Sequence, residues 1–244
     1  MIAFVHGVPE TAAIWDGIRG RIQGPSVALP LPGFGNPRPA GFGATKDDYL
    51  RWLLDELASL EPPVDLVGHD WGAILAARVA CAHGDRVRSY VFDVGNVSHP
   101  SYTWHAFAQI WQTPGEGEAF FESQATAAVE DRANGLTALG VPIEGAREMA
   151  AAADADMGSC ILDLYRSATP NVHADWGPLA PSPATGLVVH ASDDPFSDEA
   201  QAREVATALG AELARLEGAG HFWPYQAPEP AAELLEAFWA GLAP

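Results

Sequence analysis

The chain has 244 residues, 48% hydrophobic and 18% charged, the balance of a folded domain and not of a disordered segment. Lys and Arg number 13 against 32 Asp and Glu, a net charge of −19 that argues against a nucleic-acid backbone or an anionic membrane surface as partner. Cys81 and Cys160 are too few for a disulfide framework or a paired metal site, no HExxH pattern appears, and neither a signal peptide nor an apolar run of about 18 residues is present, so a metal-free cytoplasmic protein is expected.

Strand and helix signals then alternate along the chain. Ile2–Val5 reads as a buried strand, Thr11–Ile22 as a helix through Ile14, Trp15, Ile18 and Ile22, and Ser26–Leu29 as a second strand. After a Gly- and Pro-rich loop, Thr45-x-x-Asp48 caps a helix whose apolar face is Leu50, Leu53, Leu54, Leu57 and Leu60. Strand Val64–Val67, helix Trp71–His83 and strand Val87–Val94 follow. Toward the C-terminus come strand Gly186–His190, helix Asp198–Leu209, strand Glu212–Leu216 and helix Pro230–Leu242. This alternation predicts a parallel sheet with helices on both faces. Between them, Ser98 to Ala184 holds no strand run, only helical patterns broken by glycines, so residues 98–184 are expected as a helical cap on a core of 1–97 and 185–244.

Ligands of an open parallel sheet bind beyond the carboxyl ends of its strands. Gly68-His69-Asp70-Trp71-Gly72 lies at such an end, between an apolar strand and a helix. It has the small-x-nucleophile-x-small spacing of a nucleophile elbow, with Asp where Ser is usual. An Asp that merely caps the helix is the plain alternative. Asp194 follows a later strand, and His221, in Gly218-Ala219-Gly220-His221-Phe222, follows the next one. Nucleophile, acid, histidine is the chain order of the α/β-hydrolases. Asp93, at the end of the strand after the elbow, is the competing acid.

Nearly the whole chain resembles the α/β-hydrolase superfamily. Gly68-His69-Asp70-Trp71-Gly72 and His6-Gly7-Val8-Pro9-Glu10 resemble its epoxide hydrolase and haloalkane dehalogenase branch, in which the nucleophile is Asp and the insertion is a cap. The family usually has two further strands before the His-Gly-x-Pro strand. Here that strand follows Met1 directly, so a six-stranded sheet is expected, with a homo-oligomer contact as a candidate cover for its edge.

An Asp nucleophile has its own chemical logic. A carboxylate is ionised at neutral pH and attacks an sp³ carbon without a base, whereas attack on an ester would give an anhydride. The resulting alkyl ester of Asp70 is hydrolysed by water that His221, oriented by Asp194, activates. The main-chain N–H groups of Val8 and Trp71 are the expected oxyanion hole. The substrate is then a small apolar organic molecule with water as co-substrate, and no cofactor is called for. An epoxide needs an acid for its oxygen, and Tyr165 resembles the second of the family's cap tyrosines. Phe107 stands where the first would fall, and Tyr102 is its nearby substitute. A halide instead needs N–H donors, with Trp71 and one of Trp104, His105 or Trp111 as candidates. The expected function is epoxide hydrolysis. Its alternatives are haloalkane or haloacid dehalogenation by the same residues, and a non-catalytic ligand-binding protein on the same fold.

Overall fold

A computed structural model describes residues 1–242. Its six strands, β1 (Ile2–Val5), β2 (Ser26–Leu29), β3 (Asp65–Gly68), β4 (Ser89–Phe92), β5 (Thr185–Ala191) and β6 (Glu212–Leu216), form one sheet in the order β2-β1-β3-β4-β5-β6. Every neighbouring pair is parallel. β1, β3 and β4 are buried along their whole length, which is why they read as unbroken apolar runs.

Alternate residues of each strand enter opposite layers. Ala3, Val5, Leu66, Tyr90 and Phe92 pack under α2 (Lys46–Ser59), α3 (Trp71–His83) and α10 (Glu199–Leu209). Ile2, Phe4, Val67 and Val91 pack with Trp15 and Ile18, the latter on the one-turn α1 (Asp16–Arg19), and with α12 (Pro228–Ala240). The sheet is therefore sandwiched, and its two outer strands, β2 and β6, are only half-buried.

Between β4 and β5 the chain makes six helices: α4 (Ala106–Gln112), α5 (Glu116–Thr126), α6 (Val129–Ala138), α7 (Ile143–Ala152), α8 (Ala155–Ser167) and the one-turn α9 (His173–Trp176). A second single turn, α11 (Trp223–Gln226), precedes α12. No helix of the described residues is long and apolar enough to cross a membrane.

Several elements depart from the sequence reading, among them the last helix, which runs Pro228–Ala240 where Pro230–Leu242 is expected. The expected helix Thr11–Ile22 is a 3₁₀ turn, Ala12–Trp15, followed by α1, which stops at Gly20. Its apolar spacing fits either geometry. The expected strand Val87–Val94 is only Ser89–Phe92. Asp93 leaves the ladder, and Val94, at φ 38°, turns the chain into a 3₁₀ turn, Gly95–Ser98. The third strand lies one residue later than expected, with Asp65 at its start paired to Arg88 at 2.5 Å.

Candidate active site

The strand β3 hands the chain to α3 through Asp70, whose φ of 51° and ψ of −116° are unfavourable for any residue with a side chain. The surrounding glycines permit it. A Cβ on Gly68 would lie 2.2 Å from the Gly72 carbonyl oxygen, and one on Gly72 2.2 Å from that of Val5. The turn thus presses α3 onto β1 and lifts Asp70 above the sheet. A Cβ on Gly7 would fall 2.3 Å from Asp70 Oδ1, and its absence brings the next residue in. The Val8 N–H donates to Asp70 Oδ1 at 2.8 Å. The main-chain N–H of Trp71, in the first turn of α3, is a donor that the helix itself leaves free.

His221 follows β6 and points its Nδ1 at Asp194 Oδ2, 3.0 Å away. The other oxygen of Asp194 accepts the Phe196 N–H at 2.8 Å, which fixes the carboxylate plane. His221 Nε2 stands 3.7 Å from Asp70 Oδ2, too far for a direct hydrogen bond. Burial alone would lower the His221 pKa, but the Asp194 carboxylate outweighs it and raises the group above the ordinary histidine value. Burial pushes Asp70 up to about 6, although His221 and the Val8 N–H work in the opposite direction.

Asp93 serves another histidine. Its Oδ2 meets His69 Nδ1 at 2.5 Å and accepts the Trp223 indole N–H at 2.6 Å, while Oδ1 accepts the Asp70 N–H at 3.0 Å. On the far side of His69, Glu10 Oε1 lies 2.9 Å from Nε2, off the axis of a hydrogen bond, and Glu10 Oε2 accepts the Gly7 N–H at 2.8 Å. Burial disfavours a charged His69, yet two flanking carboxylates hold its pKa well above the usual value. Glu10 and Asp93 are correspondingly held below the usual carboxylate range despite burial. Glu10, His69 and His221 each bring one ligand-type atom within 4.8 Å of the others. With His69 an imidazolium between two carboxylates, that group is a charge network and not a ready metal site.

A cleft of about 640 Å³, its solvent-filled mouth included, opens over Asp70. All the residues expected there, Tyr102, Trp104, Phe107, Trp111 and Tyr165, line it. Tyr165 is buried, its ring edge-on to Trp71 at 5.2 Å and to Trp111 at 4.9 Å. Burial and the Asp70 charge raise its pKa well above 10, partly offset by the adjacent Trp71 indole. Burial, Asp70 and Asp194 likewise push Tyr102 up. Trp104 is corrected as a donor: its N–H is already given to the Ala168 carbonyl at 3.0 Å, leaving only its ring to the cleft. The buried N–H groups of Trp71 and Trp111 make no aligned hydrogen bond. Sequence reasoning did not anticipate the His69 pairing, nor Phe196, whose ring lies 5.1 Å from that of His221. An acid at one strand end beside a histidine at the next was the available signal for the first.

Residues 2–234 match the model of the alpha/beta hydrolase family. The chain belongs to this family. It is a hydrolase on a fold shared with solved haloalkane dehalogenases. DbeA of Bradyrhizobium elkani USDA94 is 24% identical with a TM-score of 0.74, over 99% of this chain and 90% of that one. DatA of Agrobacterium tumefaciens C58 is 21% identical with a TM-score of 0.76, over 99% and 89%. A protein of Pseudomonas aeruginosa provisionally named an epoxide hydrolase is 20% identical with a TM-score of 0.77, over 98% and 88%. At such identities the likeness is one of fold. A curated relative, the coelenterazine h 2-monooxygenase of Renilla reniformis, is 29% identical over 96 residues, which are 37% of this chain and 30% of that one.

Proposed function

We propose that this hydrolase opens a neutral epoxide to a diol through an alkyl ester on Asp70. The observation that carries the reading is the pair of tyrosines, Tyr102 and Tyr165, lining the same cleft as Asp70 with pKa values raised partly by its charge. Both hydroxyls stay protonated at neutral pH and are available to an oxygen leaving group.

Asp70 Oδ1 is held by Val8, so Oδ2 is the attacking atom. It forms a C–O bond to an epoxide carbon, the ring C–O bond breaks, and Tyr165 donates its proton to the departing oxygen. The ester carbonyl is then Oδ1, already in its hole beside the Val8 N–H. His221 Nε2 takes a proton from water, and the hydroxide attacks the Asp70 carboxyl carbon. The tetrahedral intermediate collapses to release the diol and regenerate Asp70. His221, its positive charge balanced by Asp194, gives its proton to the departing alkoxide, and the remaining proton of the consumed water passes from the released Asp70 carboxyl to the Tyr165 phenolate, so that both side chains are restored. One epoxide and one water are consumed for each diol.

The test is a single-turnover measurement on Tyr165→Phe. Ring opening of an epoxide falls by roughly 10²-fold or more, the usual reach of general acid catalysis. An unchanged alkylation rate removes Tyr165 from the mechanism.

A second reading, haloalkane dehalogenation, rests on the buried N–H groups of Trp71 and Trp111, unpartnered on residues that line the cleft. A departing halide would satisfy such donors without any acid. Release of free halide from alkyl halides, faster than turnover of any epoxide, would make that reading the better one.

A further inference from the structure

One polar side chain of the cleft is used by neither step. His105 stands at the N-terminus of α4, in a wall of aromatic rings. Phe196 is 5.1 Å away, Trp111 6.2 Å and Tyr165 6.4 Å, centroid to centroid. Phe196 in turn separates it from His221, at 5.1 Å from that ring. His105 is therefore one ring removed from the reacting atoms, on the flank of the cleft.

Its protonation state follows from its contacts. His105 Nδ1 accepts the Ala108 N–H at 3.3 Å as the cap of α4. Burial and the neighbouring His221 lower the imidazole to about 4, so the ring is neutral and its proton sits on Nε2. Among the described residues Nε2 has no hydrogen-bond partner. It is a neutral donor with no protein acceptor.

The rest of the lining limits what that donor can meet. No lysine or arginine lines the cleft among the described residues, while Asp70 does and Asp194 lies behind His221. An anionic substrate would enter a negative, low-dielectric site without a counter-ion, which is costly. This disfavours the haloacid alternative and any carboxylate-bearing epoxide.

We infer that His105 is a specificity-determining residue whose Nε2–H selects neutral substrates carrying a hydrogen-bond acceptor, such as an ether or carbonyl oxygen, beside the reacting carbon. The aromatic wall takes the apolar body, Asp70 the sp³ carbon and His105 the acceptor. A substrate that fills the cleft without the acceptor would displace water from this donor and give it no partner in return, the situation in which polar sites discriminate best. The substrate class named here rests on the proposed function.

The experiment compares matched pairs in the wild type, His105→Phe and His105→Asn. Phenyl glycidyl ether is set against 1,2-epoxy-4-phenylbutane, and benzyl glycidyl ether against 1,2-epoxy-5-phenylpentane. Each pair differs only by oxygen for CH₂. In the wild type kcat/KM favours at least one ether by about tenfold; in His105→Phe the ratio falls to about one. His105→Asn, which can both cap α4 and donate, keeps part of the preference. A purely structural role for the cap would lower both members of a pair together and leave the ratio alone.

A binding arm separates this inference from the proposed function. Butyrophenone and butylbenzene, which cannot react, are titrated by quenching of tryptophan fluorescence. The ketone binds the wild type about tenfold more tightly, and His105→Phe removes that advantage. Turnover of all four epoxides with no ether preference, and no ketone preference in binding, overturns the role of His105 and leaves the proposed function standing. No epoxide turnover with a His105-dependent ketone preference does the reverse.

Discussion

Asp93 and Asp194 both end strands near the elbow, and their partners separate their roles. Asp194 touches His221, and in the proposed mechanism it serves only that base. Asp194→Ala should leave alkylation of Asp70 nearly intact and slow ester hydrolysis by about 10²-fold or more, read as accumulation of alkyl-enzyme in rapid-quench experiments. Asp93 instead holds a buried imidazolium. Asp93→Ala leaves that buried charge with Glu10 alone and should cost about 3–5 kcal/mol in urea unfolding. The reverse pair of phenotypes would exchange the two assignments. The pH profile follows from the same residue-level facts. Attack needs Asp70 ionised, and burial has moved it up to about 6, so single-turnover alkylation should fall as pH drops through about 6. Hydrolysis needs His221 neutral, so it too falls as pH drops, and the raised value of His221 moves that limb toward higher pH. Tyr165, well above 10, remains an acid throughout the neutral range. An alkylation limb near 4, the range of a solvated carboxylate, would contradict the upward shift that burial gives Asp70. These pairings were only partly legible beforehand. Its place after a later strand marked Asp194, but that Asp93 and Glu10 share His69 is a matter of three-dimensional neighbours that spacing does not carry.

At the scale of elements, the strand–turn–helix unit of β3 and α3 carries the site. The glycine spacing of the elbow was readable because the backbones of Gly68 and Gly72 leave no room for a Cβ. Gly72→Ala should fail to fold or lose several kcal/mol, because its Cβ would meet main-chain atoms of Val5 that cannot yield. Thr45 is a milder case of local legibility. Its hydroxyl accepts the Asp48 N–H and the Asp48 carboxylate reaches back to the Thr45 N–H, the capping box expected from the two residue types. Thr45→Ala should cost about 1 kcal/mol in thermal or urea unfolding, with activity unchanged. Where the sequence reading overran, as in the helix of Thr11–Ile22 and the strand of Val87–Val94, tertiary demands cut the element short. Trp15 and Ile18 are buried against the sheet from a 3₁₀ turn and a short helix. Asp93 leaves its strand to reach His69.

At the scale of the molecule, alternation of strand and helix was enough to predict a parallel sheet covered on both sides, because a strand buried on both faces cannot hide its apolar run. The strand order was not legible, since connection lengths alone permit several. The stretch between β4 and β5 was read as a broken helical cap with Tyr102, Trp104, Phe107, Trp111 and Tyr165 as candidate lining, but how its helices pack to place those rings over Asp70 is a matter of tertiary contacts that spacing does not carry. The central claim is that Asp70 carries a covalent intermediate, and His221→Gln tests it most directly. With no base, hydrolysis stops while attack does not, so the ester should persist. Incubated with an epoxide and read by intact-protein mass spectrometry, the variant should gain the full mass of the substrate, since the ring oxygen stays on the alkyl group, and peptide mapping should put the adduct on Asp70. A gain of substrate mass less one hydrogen halide, from alkyl halides alone, would point to dehalogenation. No adduct from any substrate that the wild-type enzyme turns over would contradict the covalent account.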